Sequence, residues 1–170
     1  MKKLTGHIFL IGFMGVGKSS VSHELSRKIE KSEIDTDKYI EEVLKMSIPE
    51  IFEKKGEAYF RQCESKILLR ISQLSPRVIS CGGGFVMNEM NVKKMKRMGT
   101  IILLKASPET IYERVKDSTD RPLLNGNMNV EYIAELMKQR MPVYENAADV
   151  IIETDGLTPN DVAQKIDRLV

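Results

Sequence analysis

The stretch Gly12-Phe13-Met14-Gly15-Val16-Gly17-Lys18-Ser19 constrains the fold more than any other part of the chain. It fits G-x-x-x-x-G-K-[ST], the pattern of a P-loop that cradles phosphate between a strand and a helix. Both flanks have the right character. Ile8-Phe9-Leu10-Ile11 is a continuous apolar run, as a strand buried on both faces requires. Ser19 to Ile29 carries Val21, Leu25 and Ile29 one turn apart, the spacing of an amphipathic helix. Gly12, Gly15 and Gly17 let the backbone take positive φ and turn its N–H groups toward an anion. The helix N-terminus adds partial positive charge at the same point. Lys18 is then placed to reach the β- and γ-phosphates of a nucleotide, and the Ser19 hydroxyl to bind Mg²⁺.

The rest of the chain alternates strand-like and helix-like segments, which predicts an α/β fold with a mainly parallel sheet. The expected strands are His7–Ile11, Glu33–Asp35, Arg77–Cys81, Thr100–Lys105 and Asp149–Glu153. Ser47-Ile48-Pro49-Glu50 resembles a capping box and opens a helix that buries Ile51 and Phe52. Gly56 interrupts it, and a second helical run extends from Glu57 to Leu74, where Ser75-Pro76 stops it. Ser107-Pro108 and Thr158-Pro159 start two more helices. With 170 residues and no repeat or linker, residues 1–170 are expected to form a single domain. The polar run of about residues 117–129 breaks the alternation and is expected to be a mobile lid.

Composition excludes several classes. The net charge is +2 and no basic run is present, so nucleic acid is not an expected partner. No apolar stretch approaches the roughly 20 residues that span a bilayer. Lys2 and Lys3 precede only a short apolar segment broken at Gly12, which does not make a signal peptide. Cys63 and Cys81 are far apart and form no metal or disulfide framework; they read as reduced thiols of a cytoplasmic protein. The 10 Met read as core filler. His7 and His23 lack partners at motif spacing and read as structural or exposed.

A P-loop alone names no reaction. No N-K-x-D base-reading motif accompanies it, and no apolar strand ends in Asp-Glu, so the GTPase and large-ATPase readings fall away. A small kinase is left, whose acceptor is read from other residues. Asp35-Thr36-Asp37 ends a strand, and in extended chain the two carboxylates would face one side. So placed they repel, unless a cation or a substrate hydroxyl lies nearby; the alternative is a solvated turn with an N-cap Asp. Phe60-Arg61, after Gly56-Glu57, and Arg140, near a helix end, are two guanidinium forks able to fix a carboxylate, or else surface ion pairs. Gly82-Gly83-Gly84 follows an apolar strand at its carboxyl end, where open α/β sheets bind ligands and where missing side chains allow close approach. Arg121, in Arg121-Pro122-Leu123-Leu124, sits in the lid and would supply charge to a transferring phosphoryl group on closure.

Taken in order, these segments resemble the shikimate kinase family over nearly the whole chain. The carriers are Gly12 to Ser19, Asp35-Thr36-Asp37, Gly56-Glu57 with Phe60-Arg61, Cys81-Gly82-Gly83-Gly84, Arg121-Pro122-Leu123-Leu124, and Arg140 with Pro142 and Tyr144. The resemblance implies a three-layer α/β/α P-loop kinase fold with a five-stranded parallel sheet. It implies transfer of the γ-phosphoryl of ATP to the 3-hydroxyl of shikimate, with one Mg²⁺ per site; the protein is expected to be a monomer. By carry-over, ATP meets Gly15, Val16, Gly17, Lys18, Ser19, Ser20 and Arg121. Mg²⁺ meets Ser19 and, through water, Asp35. Shikimate meets Asp37, Arg61, Gly82, Gly83, Gly84 and Arg140. Lys18, Asp37 and Arg121 are the expected catalytic residues, and Thr154 to Pro159 the adenine loop, which departs from some members by lacking an Arg. The alternatives are a kinase for another small hydroxy acid such as gluconate, and a nucleotide-binding regulator that has lost catalysis.

Overall fold

The computed structural model describes residues 6–118 and 128–169. Five strands, β1 (His7–Ile11), β2 (Glu33–Asp35), β3 (Val78–Ser80), β4 (Gly99–Lys105) and β5 (Val150–Glu153), form one sheet in the order β2-β3-β1-β4-β5. Every pairing is parallel. All five residues of β1 are buried. Successive strand residues face opposite sides, so helices must cover both faces of the sheet. They are α1 (Lys18–Lys28), α2 (Thr36–Leu44), α3 (Ile48–Lys55), α4 (Glu57–Ile71), α5 (Glu89–Met98), α6 (Pro108–Val115), α7 (Val130–Ala147) and α8 (Pro159–Leu169), with a 3-10 turn at Phe85–Met87. The layered α/β architecture and the five parallel strands are as expected.

Three local readings change. The Glu57 helix ends at Ile71, because Gln73 and Leu74 donate to Arg70 and Ile71, three residues back, in tighter turns. Arg140 lies mid-helix: α7 continues through Pro142, which the burial of Tyr144 and Ala147 beyond it holds helical despite the lost N–H. Helices α2 and α5 had no start signal in the sequence reading. Of the methionines, Met95 and Met137 are buried, whereas Met87 and Met90 are exposed.

The main core surrounds the sheet. A second, smaller cluster positions the site: Ile40 of α2, Ile51 of α3 and Phe60 of α4 are buried together, with Phe52 and Tyr59 packed against them. Burying each such side chain contributes about 1.5–3 kcal/mol. The Ser47–Glu50 capping box forms as read. Gly56 joins α3 to α4 with φ 84°, a conformation costly for any side-chain-bearing residue, so the junction demands glycine. Asp37 and Arg61 ride on two of the three helices that this cluster fixes.

Candidate active site

The loop after β1 is shaped as its glycines require. Gly15 (φ 79°) and Gly17 (φ 99°) are left-handed. Among the described residues no side chain caps the first turn of α1, which leaves its N–H groups open to an anion. Lys18 folds back over the loop, donating to the Gly12 carbonyl at 2.8 Å and that of Phe13 at 3.1 Å. Arg114 of α6 donates to the Val16 carbonyl at 2.8 Å and itself lines the cleft beside the loop. A cleft of about 390 Å³ opens here, lined by Gly15, Gly17, Lys18, Ser19 and Ser20 on one side and by Asp37, Gly82 and Gly83 on the other. A larger groove of about 660 Å³ shares Ser19, Ser20, Asp35 and Ser80, and its further walls include His23, Glu33, Lys38 and Tyr39. It holds neither Lys18 nor Asp37, so the smaller cleft is the place for chemistry.

Asp35 ends β2, but Asp37 is not in extended chain; this corrects the sequence reading. Helix α2 starts at Thr36, and Asp35 is its N-cap, accepting from the N–H of Asp37 at 3.1 Å and of Lys38 at 3.2 Å. An acceptor side chain at a strand end satisfies orphan helix donors, so a cap wins over continued strand. The cap leaves Asp35 facing the loop, where it accepts from the Ser19 hydroxyl at 2.7 Å. A hydroxyl and a carboxylate at hydrogen-bond distance beside a phosphate nest suit Mg²⁺, which keeps waters and substrate phosphates and takes few protein ligands. Thr36 is buried and accepts from the Gly82 N–H at 2.9 Å, tying α2 to the segment after β3.

The three glycines after β3 each accommodate a different partner. A methyl group on Gly82 would collide with the Asp37 carboxylate, and one on Gly84 with the Arg61 guanidinium. At Gly83 it would stand 3.6 Å from the Tyr144 hydroxyl and 3.8 Å from Nη1 of Arg140. Tyr144, fully buried, donates to the Gly83 carbonyl at 2.5 Å. The expected acceptor residues Asp37, Arg61 and Arg140 thus come from α2, α4 and α7 to one backbone segment, beside the P-loop. Burial, then the like charge of Asp35, pushes the Asp37 carboxyl up to about 6, with Lys18 and Arg61 opposing. Its Oδ1 is buried without a hydrogen-bond partner among the described residues.

Arg61 is not bare. It pairs with Glu64 at 2.8 Å and with Glu57 at 3.1 Å. Glu64 is 1% exposed, and burial pushes its carboxyl up to about 7 against the pull of Arg61. The sequence reading missed Glu64 and Arg114. Glu64 looks like any helical i,i+3 pair, and the Arg114 partner is a distant carbonyl; neither leaves a sequence signal. Arg121 lies outside the described residues, as does most of the expected lid. In the expected adenine loop, Thr154 is buried and donates to the Lys105 carbonyl at 3.0 Å, while Asp155 accepts from the Ser107 N–H at 3.0 Å, fastening the loop to the start of α6. His7 is buried and accepts from the Arg77 N–H, and exposed His23 pairs with Glu33; neither enters the cleft. Cys63 and Cys81 are both free thiols.

The family described as shikimate kinase matches residues 14–170. A shikimate kinase of Thermodesulfovibrio yellowstonii is 45% identical over 94% of this chain and 92% of its own length. One from Caldicellulosiruptor saccharolyticus is 42% identical over the same shares. Among solved structures, shikimate kinase from Acinetobacter baumannii in complex with shikimate superposes with a TM-score of 0.91 at 33% identity, covering 99% of this chain and 93% of that one. A gluconokinase from Sinorhizobium meliloti gives a TM-score of 0.61 at 14% identity, over 99% of this chain and 95% of that one, which is likeness of fold alone.

Proposed function

The chain belongs to the shikimate kinase family, and we propose that its cleft moves the γ-phosphoryl of ATP to the 3-hydroxyl of shikimate through the residues described above. The observation that carries this reading is the convergence of Asp37, Arg61 and Arg140 on Gly82 to Gly84, one strand away from an open phosphate nest. A carboxylate held by two guanidinium forks fixes a ring, and a third group on the same backbone then selects one hydroxyl.

Phosphoryl transfer is mostly positioning and charge stabilisation. The N–H groups of Gly15, Gly17 and α1 hold the phosphates. Lys18 exchanges its contacts with the Gly12 and Phe13 carbonyls for phosphate oxygens. Ser19, and Asp35 through water, would hold one Mg²⁺, which neutralises phosphate charge when bound. Asp37 accepts the hydroxyl proton or orients it; a carboxyl near 6 is mainly ionised at neutral pH and able to do either. Arg61 and Arg140 take the acceptor's carboxylate. Arg121 is assigned to the phosphates from its sequence motif. The reading also includes a cytoplasmic monomer; among the described residues no helix is long and apolar enough to cross a membrane.

A coupled assay of ADP release tests it. ATP with Mg²⁺ and shikimate should give turnover, whereas gluconate should give little. Preference for gluconate, or no turnover with either acceptor, would refute the assignment.

A further inference from the structure

Arg61 carries more negative charge than one guanidinium neutralises. Glu64 and Glu57 already hold it, and the proposed function, on which this inference rests, brings a third carboxylate to the same group. Glu57 has somewhere to go. It is 64% exposed, so rotating it into water costs little. Glu64 does not. It is 1% exposed, and its Oε1 is buried with no hydrogen-bond partner among the described residues.

The charges around the acceptor do not balance. The titratable groups facing Glu64 are Arg61 and Glu57 on its own helix, Asp37 on α2 and the Cys81 thiol after β3, which burial keeps protonated. With Glu57 turned out, the bound pocket would hold three carboxylates (Asp37, Glu64 and the acceptor's) against two guanidinium groups (Arg61 and Arg140). Lys18 is assigned to phosphate. An uncompensated buried charge is expensive, and a buried carboxyl escapes the expense by binding a proton.

We propose that Glu64 takes up a proton from solvent when the acceptor's carboxylate docks on Arg61, leaving two negative and two positive groups in the occupied pocket. One O–H bond forms on Glu64 and no other bond changes. The protonated carboxyl keeps its place beside Arg61 and gains a donor for the neighbourhood of its unpartnered oxygen. Glu64 is therefore a positioning residue whose charge state follows that of the substrate. Its free-state carboxyl, already near 7, is poised for this change at neutral pH.

The sign follows from linkage. A complex that binds more protons than its free components loses affinity as pH rises. Titration calorimetry of shikimate into the intact chain saturated with Mg²⁺ and a non-hydrolysable ATP analogue, so that Lys18 is engaged by phosphate, in PIPES and in Tris at pH 7.5, reads the proton directly. The expected result is uptake of roughly half a proton or more, with affinity falling between pH 7 and pH 9 by up to about tenfold per unit. Glu64→Gln should abolish the buffer dependence and flatten the pH profile. Wild-type binding without buffer dependence overturns the inference, and so does uptake that persists in Glu64→Gln. The wild-type buffer and pH series stand even if the variant folds poorly. Arg61→Leu separates this inference from its foundation. Undiminished shikimate binding in that variant removes the clamp itself; lost binding there, beside a proton-neutral wild type, removes only the proton step.

Discussion

Gly84→Ala isolates the Arg61 guanidinium without touching its chemistry. Gly84 has φ −96° and ψ 2°, a backbone any residue adopts, so alanine introduces no strain there. Its methyl group, however, would stand 2.5 Å from Nη2 of Arg61. Carbon contacts settle at about 3.5–4.0 Å, so the guanidinium must retreat by about 1 Å. It cannot retreat freely, because Glu64 and Glu57 fix two of its nitrogens and the Phe60 ring lies 5.4 Å below. A displacement of about 1 Å in a substrate-orienting group costs on the order of 10²-fold in rate, or roughly 2.7 kcal/mol. Steady-state kinetics should therefore show kcat/KM for shikimate down about 10²-fold, with the KM for ATP unchanged. Gly83→Ala is not an equivalent control, since its methyl meets protein groups only at 3.6 Å and beyond and would instead occupy the cleft. The decisive comparison is a double-mutant cycle. If alanine acts through the guanidinium, it should cost almost nothing more once Arg61 is Leu. Wild-type kcat/KM in Gly84→Ala, or full additivity with Arg61→Leu, refutes the reasoning.

Three further outcomes are expected. Lys18→Ala should lower kcat by about 10²-fold or more, the scale of losing one preorganised charge donor, as measured by ADP release. Arg140→Leu should lower kcat/KM for shikimate by an amount equivalent to about 2–5 kcal/mol, yet lose little more with shikimate methyl ester; equal losses with acid and ester would show that Arg140 does not read the carboxylate. The buried carboxyl of Glu64, raised from 4.5 to about 7, binds more protons folded than unfolded, so its contribution to stability falls as pH rises through that window and the penalty is complete above it. Glu64→Gln should accordingly gain on wild type by on the order of 2 kcal/mol in urea unfolding between pH 5 and pH 8, and a gap independent of pH would count against the raised carboxyl.

What the sequence reveals depends on how local the determinant is. The P-loop is legible because its shape is a property of consecutive backbone angles, and glycine at Gly15 and Gly17 announces them. Asp35-Thr36-Asp37 is legible in residues but not in geometry. Strand ends and helix N-caps use the same residue types, so alternation and capping make rival claims on one triplet. With the cap in place, Asp35 reaches Ser19, Thr36 holds Gly82 and Asp37 enters the cleft. An extended chain would have turned Thr36 away from its neighbours' side. Glu57 and Glu64 stand at helical spacing on either side of Arg61 and are indistinguishable in sequence. Only the packing of α4 among α2, α3 and α5 makes one an exposed partner and the other a buried acid. Arg114 is invisible for a related reason, because its partner is a carbonyl 98 positions away.

The triple glycine shows how a local signal can have a non-local cause. Read alone, Gly82-Gly83-Gly84 invites a ligand close to the backbone. In the folded chain the three positions differ. At Gly82 and Gly84 the missing side chains make room for Asp37 and Arg61, which are protein groups. At Gly83 a methyl would meet the Tyr144 hydroxyl, Arg140 and the Met14 N–H only at ordinary contact distances of 3.6 to 3.9 Å. Packing among the described residues does not by itself demand glycine there. The volume kept open above Gly83 lies between the P-loop on one side and Arg140 on the other, with Asp37 and Arg61 one residue away in each direction. A ring whose carboxylate meets the two guanidinium groups and whose hydroxyl meets Asp37 has to lie over that point. Under the proposed function the backbone at Gly83 would be the floor of the acceptor pocket, and its two neighbours would set the reach of Asp37 and Arg61 toward the ring.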